Sequence, residues 1–137
     1  MIRVVLDTNV VVSAYLNENG FPHSILKLAL AKAVRLYVSA PVLAEYEELL
    51  MRKSYPLDRR RAKLMLSEIR AVSVMANPAV GGPLTSDPDD SMFLECAQAA
   101  KADYLVTGNT KHFPEKWTYT QIVTPRQFIH RWREQVR

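Results

Sequence analysis

The chain has 137 residues, 48% of them apolar, with 18 basic and 14 acidic side chains and a net charge of +4. That length and composition fit one folded domain over residues 1–137 and exclude a disordered or low-complexity chain. A single cysteine, Cys96, excludes an intrachain disulfide framework, and with three scattered histidines it excludes a Cys/His zinc cage.

Residues 2–6 carry four aliphatic side chains in five, the pattern of a strand buried on both faces of a parallel sheet. Such a strand delivers Asp7 to the carboxyl edge of the sheet, where open α/β folds bind their ligands. An ionised carboxylate there is costly unless it is paired, hydrogen-bonded or bound to a metal. Thr8 to Leu16 reads as a turn into a short helix, with Asn9 as its cap. After a loop over 17–20, residues 22–33 show a helical stripe of Ile25, Leu26, Leu28, Ala29 and Ala33. Val34 to Ser39 is a second strand, and Pro41 opens another helix. Its apolar face is Val42, Leu43, Tyr46, Leu49 and Leu50, with Glu45 at the margin about one turn in.

A basic segment marked by Pro56 leads to a helix that starts at Asp58, with a stripe through Ala62, Leu64, Met65 and Ile69. Ala71 to Ala76 alternates as a third strand, with Val72 and Val74 on one face. Residues 77–86 form the longest loop, and Asp87-Pro-Asp-Asp90 starts a helix whose stripe is Phe93, Cys96, Ala97 and Ala100. Asp103 to Thr107 is a fourth strand and Tyr119 to Val123 a fifth. Thr124-Pro125 caps a last helix from Arg126 to about Gln135. This alternation predicts an α/β fold of about five mostly parallel strands, joined by right-handed crossovers with helices on both faces. No apolar run reaches the length of a membrane span, and no signal peptide precedes the first strand, so the expectation is a cytoplasmic protein without a membrane partner.

Three acids qualify for chemistry once simpler roles are weighed. Asp87 as a helix cap, with Asp89 and Asp90 answering the helix dipole, accounts for one or two of that group. Three acids in four positions exceed what capping needs. Asp90 is the functional candidate because it directly precedes the apolar part, with Asp89 solvent-facing and Asp87 a cap or outer group. Glu45 competes with the reading of a helix-surface glutamate. Asp103, at the amino end of its strand, reads as structural.

Asp7, Glu45 and Asp90 all project from element junctions on one edge. Carboxylates ~4 Å apart repel by about 1 kcal/mol in water and about 4 at an effective dielectric of 20, so such a cluster takes up protons or a cation. Oxygen ligands without Cys or His select Mg²⁺ or Mn²⁺, ions that activate water and offset charge on a phosphate. Setting aside Asp7, Glu45, Asp87, Asp89 and Asp90 leaves nine acids against 18 basic side chains. A basic body around an acidic pocket suits a phosphodiester.

Four segments carry a resemblance: Val4-Val-Leu-Asp7-Thr8-Asn9, Ser39-Ala-Pro-Val-Leu-Ala-Glu45, Asp87-Pro-Asp-Asp90-Ser-Met-Phe-Leu-Glu-Cys-Ala97 and Leu105-Val-Thr107-Gly-Asn109. In this order and spacing they resemble the PIN domain, most closely the VapC-like toxin components of bacterial and archaeal toxin–antitoxin systems. The resemblance implies a three-layer PIN-like fold and a Mg²⁺- or Mn²⁺-dependent endoribonuclease. It places the catalytic, metal-binding acids on Asp7, Glu45 and Asp90, with Thr8 or Asn9 and Thr107 in support. A fourth acidic position of many members is Asn109 here, an amide that can ligate without adding charge, and Asp87 is a further candidate ligand. RNA as substrate, an antitoxin as partner and a homodimer are also implied. Arg59, Arg60, Arg61 and Lys63 are candidates for RNA contact, as are Arg126, Arg131 and Arg133, against the plain reading of solvated surface. His112, in a loop beside the pocket, is a candidate for a phosphate or leaving group.

Two other readings remain. A receiver-type phosphoacceptor domain needs an Asp ending the third strand and a Lys after the fifth, where this chain has Asn77 and Arg126. A PIN fold kept only for RNA binding is favoured by Asn109.

Overall fold

The structure, a computed structural model, describes residues 1–53, 58–78 and 88–136, apart from the side chains of Lys53, Pro88 and Asp89. Its strands are β1 (Arg3–Leu6), β2 (Arg35–Val38), β3 (Val74–Met75), β4 (Tyr104–Val106), β5 (Lys116–Trp117) and β6 (Thr120–Val123). They form one sheet in the order β3-β2-β1-β4-β6-β5, parallel throughout except for the β5–β6 hairpin. The helices are α1 (Thr8–Leu16), α2 (Phe21–Leu30), α3 (Ala40–Lys53), α4 (Arg59–Val72), α5 (Pro88–Ala100) and α6 (Pro125–Gln135).

The aliphatic run of β1 occupies the middle of the sheet, with Val4, Val5 and Leu6 at 0% exposure. Val4 stands in register with Leu36 of β2 on one side and Tyr104 of β4 on the other. From β1 the chain steps outward to β2 and β3, then returns through α5 to β4 on the opposite side of β1. The reversal makes the gap between the ends of β1 and β4 a topological switch point, the place where open sheets hold ligands. Right-handed crossovers put α5 on the face opposite the connections that lead to β2 and β3. It packs on β1, β2 and β4 through the buried Phe93, Cys96, Ala97 and Ala100 that the sequence marked. On β4 and β6 lies α6, which also meets α2. A receiver-type sheet runs 2-1-3-4-5, with a single strand outside β1 before the chain turns back. Two strands stand there in this chain, which removes that reading.

The third strand is shorter than the sequence suggested. Helix α4 continues through Ala71 and Val72 and ends where the Ser73 N–H bonds the Ile69 carbonyl at 2.9 Å. Only Val74 and Met75 remain to pair with Tyr37 and Val38. Val72 stands three from Ile69, a helical spacing, and two from Val74, a strand spacing, and packing chose the helix. A sixth strand, β5, was not expected. Its hairpin turns through Thr118 at φ 51°, a conformation usually announced by Gly or Asn. Helix α2 stops at Leu30, where Lys32 takes φ 61°, so Ala33 lies outside it and exposed. Leu64 is 60% exposed, and Leu66 takes its place in the core.

Helix α6 begins as expected. Thr124 accepts the Gln127 N–H at 3.1 Å, and Gln127 Oε1 accepts the Thr124 N–H at 2.9 Å, a complete capping box. Thr124→Ala is therefore expected to destabilise the fold by about 1 kcal/mol, read as a lower urea midpoint at unchanged slope. Among the described residues no helix is long and apolar enough to cross a membrane.

Candidate functional site

At the switch point the ends of β1 and β4 lie side by side, and the Asp7 N–H donates to the Val106 carbonyl at 2.9 Å. Asp7 occupies the N-cap position of α1, yet its carboxylate makes no capping bond. Its Oδ2 instead accepts from Thr107 Oγ1 at 2.7 Å and from Asn9 Nδ2 at 3.2 Å. Asn9 Oδ1 accepts the Gly108 N–H at 3.1 Å, and Thr107 Oγ1 accepts the Asn109 N–H at 3.0 Å. Asn9 is thus not the helix cap that its residue type suggested. It stitches the loop after β1 to the loop after β4.

Burial raises the Asp7 carboxyl above its ordinary 3.8, and Thr107, the first N–H groups of α1 and His112 pull it back only in part. Both side-chain bonds fall on Oδ2, so Oδ1 takes part in neither. Next in the chain, Thr8 is 3% exposed, and its hydroxyl has no partner among the described residues. An unsatisfied buried hydroxyl costs about 1–3 kcal/mol, which argues for a water or ligand beside Asp7.

Asp90 lies in the first turn of α5 with its side chain 18% exposed, and its Oδ2 stands 3.9 Å from His112 Nδ1. His112 belongs to the short 3₁₀ turn Thr110–His112, which follows β4. Asn109 Nδ2 lies 3.0 Å from His112 Nε2. An amide N–H can only donate, so in this arrangement Nε2 accepts and the ring proton sits on Nδ1, facing Asp90. Asp90 therefore faces this imidazole, and Asn109 orients the ring.

Glu45 is half-buried in the second turn of α3. Its neighbour Tyr46 is fully buried and donates its hydroxyl to the carbonyl of Leu6, the residue before Asp7. This bond pins the helix that carries Glu45 to the end of β1. Burial pushes the Tyr46 hydroxyl well above its usual value, and the nearby Cys96 and Asp7 add to the shift. Burial likewise pushes the Cys96 thiol up to about 12, against a hydrogen bond with Ser39. Cys96 is a neutral packing group, as its place on the apolar stripe indicated. Tyr46 was legible in the sequence only as core, because nothing local announces a hydroxyl that reaches a backbone carbonyl 40 residues away.

Among the described residues, no three His, Cys, Asp or Glu side chains stand close enough to enclose an ion. Asp87 and the side chain of Asp89 lie outside the described residues. Mg²⁺ characteristically keeps several waters and binds through one or two carboxylates, so it does not require an all-protein cage. Oxygen-only donors, the Oδ1 of Asp7 and the unpartnered Thr8 hydroxyl fit such an ion.

Arg59, Arg60, Arg61 and Lys63 are exposed along the start of α4. The guanidinium of Arg61 stacks 4.3 Å over the Tyr15 ring and donates to the Tyr15 carbonyl, so it fastens α4 to α1. Arg60 lies 3.9 Å from Asp58. This cluster is already partly engaged by the protein itself.

The profile of the PIN domain family matches residues 3–111, a span that includes Asp7, Glu45, Asp90, Thr107 and Asn109. The chain belongs to the PIN domain family. An uncharacterized protein of Methanocaldococcus jannaschii is 30% identical to this PIN domain over 140 residues, covering 93% of this chain and 90% of its own. The fold is also similar to a chain in the crystal structure of VapBC2 from Rickettsia felis bound to a DNA fragment from their promoter. That match has a TM-score of 0.61 and 20% identity, over 90% of this chain and 98% of the other. At such identity the likeness concerns the fold alone. The PIN domain thus places its Asp7–Thr107 pair at the switch point of the sheet.

Proposed function

We propose that this PIN domain is a divalent-metal-dependent endoribonuclease, acting as the toxin of a toxin–antitoxin pair. The observation that carries the reading is Asp7, a desolvated carboxylate held at the switch point by Thr107 and Asn9, with Asp90 facing His112 in the turn that follows β4. Asp7, Asp90 and Glu45 would hold Mg²⁺ or Mn²⁺ in part through the ion's own waters, since no three of the described acids close around it directly, with Asn109 and Asp87 as further ligands. When bound, such an ion supplies positive charge against the phosphate and activates water for attack. The chain's own groups orient the carboxylates. Thr107 and Asn9 fix Asp7, and His112, steadied by Asn109, presents its Nδ1–H to Asp90. The Thr8 hydroxyl has a free bond for whatever occupies the site. The resemblance to VapC-like toxins and the fold likeness to VapBC2 support an antitoxin protein as partner, and the homodimer rests on the resemblance.

The test is incubation of end-labelled single-stranded RNA with the protein in Mn²⁺, in Mg²⁺ and in chelator. Cleavage is expected only with an ion present, and equal cleavage in chelator would sink the metal-dependent mechanism. A second reading, RNA binding without hydrolysis, draws on Asn109 standing where many members carry an acid. It predicts retention of RNA with no cut under any ion.

A further inference from the structure

Two surface grooves meet at Gln127 and Arg131. The first lies between the 3₁₀ turn and the β5–β6 hairpin, and its rim carries Lys111, Lys116 and Arg131 against one acid, Glu115. The second follows the outer side of α6, with Arg126, Arg131 and Arg133 and no acid among its lining residues. Arg131 joins the two and is held in place, its guanidinium donating to Gln121 Oε1 and lying 5.8 Å from the Tyr104 ring centroid. The 3₁₀ turn is the wall between this groove and the candidate site. Thr110 and Lys111 line the groove, while His112, the next residue, faces Asp90.

We propose that the joined grooves are the track along which the sugar–phosphate backbone of single-stranded RNA runs away from the cleavage site. The inference rests on the ribonuclease reading and adds to it the path of the substrate. Charge complementarity selects the occupant. Among the lining residues five cations are opposed by a single carboxylate, and they form a basic stripe that a polyanion can follow. Lys111 and Lys116, exposed at the end nearest the site, make the backbone contacts closest to the scissile bond. The basic start of α4 is the rival patch. There Arg61 is taken up by Tyr15, and Asp58 stands beside Arg60.

The test is fluorescence anisotropy of a labelled single-stranded RNA of about 20 nucleotides, titrated with the full chain in chelator at several NaCl concentrations. Chelator stops cleavage, so binding is read alone. Lys111→Gln with Lys116→Gln is expected to weaken binding about tenfold or more near 0.1 M salt. It should also flatten the slope of log affinity against log salt by about 1.4, since each lost contact to a single strand contributes about 0.7. Arg126→Gln with Arg133→Gln should act the same way, and Arg59→Gln with Arg60→Gln should change neither quantity. Unchanged affinity and slope in both groove variants, or a loss confined to the α4 variant, overturns the proposal. So does a wild type that ignores RNA and binds polyglutamate through the groove, which would assign the surface to an acidic protein segment. The two readings fail separately. Cleavage by the wild type with α4-dependent binding removes the groove and keeps the nuclease, whereas groove-dependent binding without cleavage does the reverse.

Discussion

Asp7→Asn is expected to lower RNA cleavage by about 10³-fold and, at the same time, to leave the fold more stable than wild type at neutral pH. The loss of activity is on the order seen when a group that stabilises developing charge is removed. The gain in stability follows from the sign of the Asp7 shift. Burial raises its carboxyl above 3.8, so the folded state holds that proton more tightly than the unfolded chain. Between the unfolded and folded values the native state carries more protons, and stability falls as pH rises through that window. Above the window the whole penalty persists. Asparagine keeps the shape and an oxygen for Thr107 without the charge, so it escapes the penalty. Thermal or urea unfolding from about pH 4 to 8 should show the mutant overtaking the wild type as pH rises, reaching about 0.5–2 kcal/mol. Mn²⁺ should raise the Tm of the wild type and leave that of the mutant unmoved. A mutant less stable than wild type at neutral pH would mean that its hydrogen bonds outweigh desolvation at Asp7.

The second large effect is expected from Thr107→Val. The hydroxyl gives a 2.7 Å bond to Asp7 and takes the Asn109 N–H at 3.0 Å, all inside a fully buried side chain. Valine has nearly the same shape and neither bond, and it strands the Asn109 donor, so the expected cost is about 1–3 kcal/mol of stability. Groups that orient ligating residues are typically worth about 10–100-fold in activity, and the same loss is expected here. The bond to Thr107 lowers the Asp7 carboxyl. Its removal should therefore shift the acidic limb of the pH–rate profile to higher pH, which a packing defect alone would not do. Thr107→Ser should restore both the profile and the rate.

Much of this arrangement was legible in the sequence, for local reasons. A continuous aliphatic run has few places to go other than the middle of a parallel sheet, so β1 and the exit of Asp7 onto its carboxyl edge could be read directly. The helical stripe of Phe93, Cys96, Ala97 and Ala100 settled α5 in the same way. What could not be read depends on partners far away in the chain. Asn9 looked like a cap because Asn favours that position, yet its oxygen serves Gly108, 99 residues on. Thr107 entered only through the resemblance to PIN domains, since an isolated Thr after a strand carries no signal of its own. Val72 satisfied two periods at once, three residues from Ile69 and two from Val74, and only the tertiary contacts of α4 decided between them. Thr118 turns the β5–β6 hairpin without the Gly or Asn that would have announced it.

The bond between Asp7 and Thr107 spans 100 positions of the polypeptide. No amino-terminal fragment that stops short of β4 contains both partners, and a contact of such sequence separation forms late in folding. During synthesis the N-terminal half therefore leaves the ribosome before the Asp7–Thr107 pair can form. Until the closing strands emerge, Asp7 lacks the hydroxyl that holds its carboxylate.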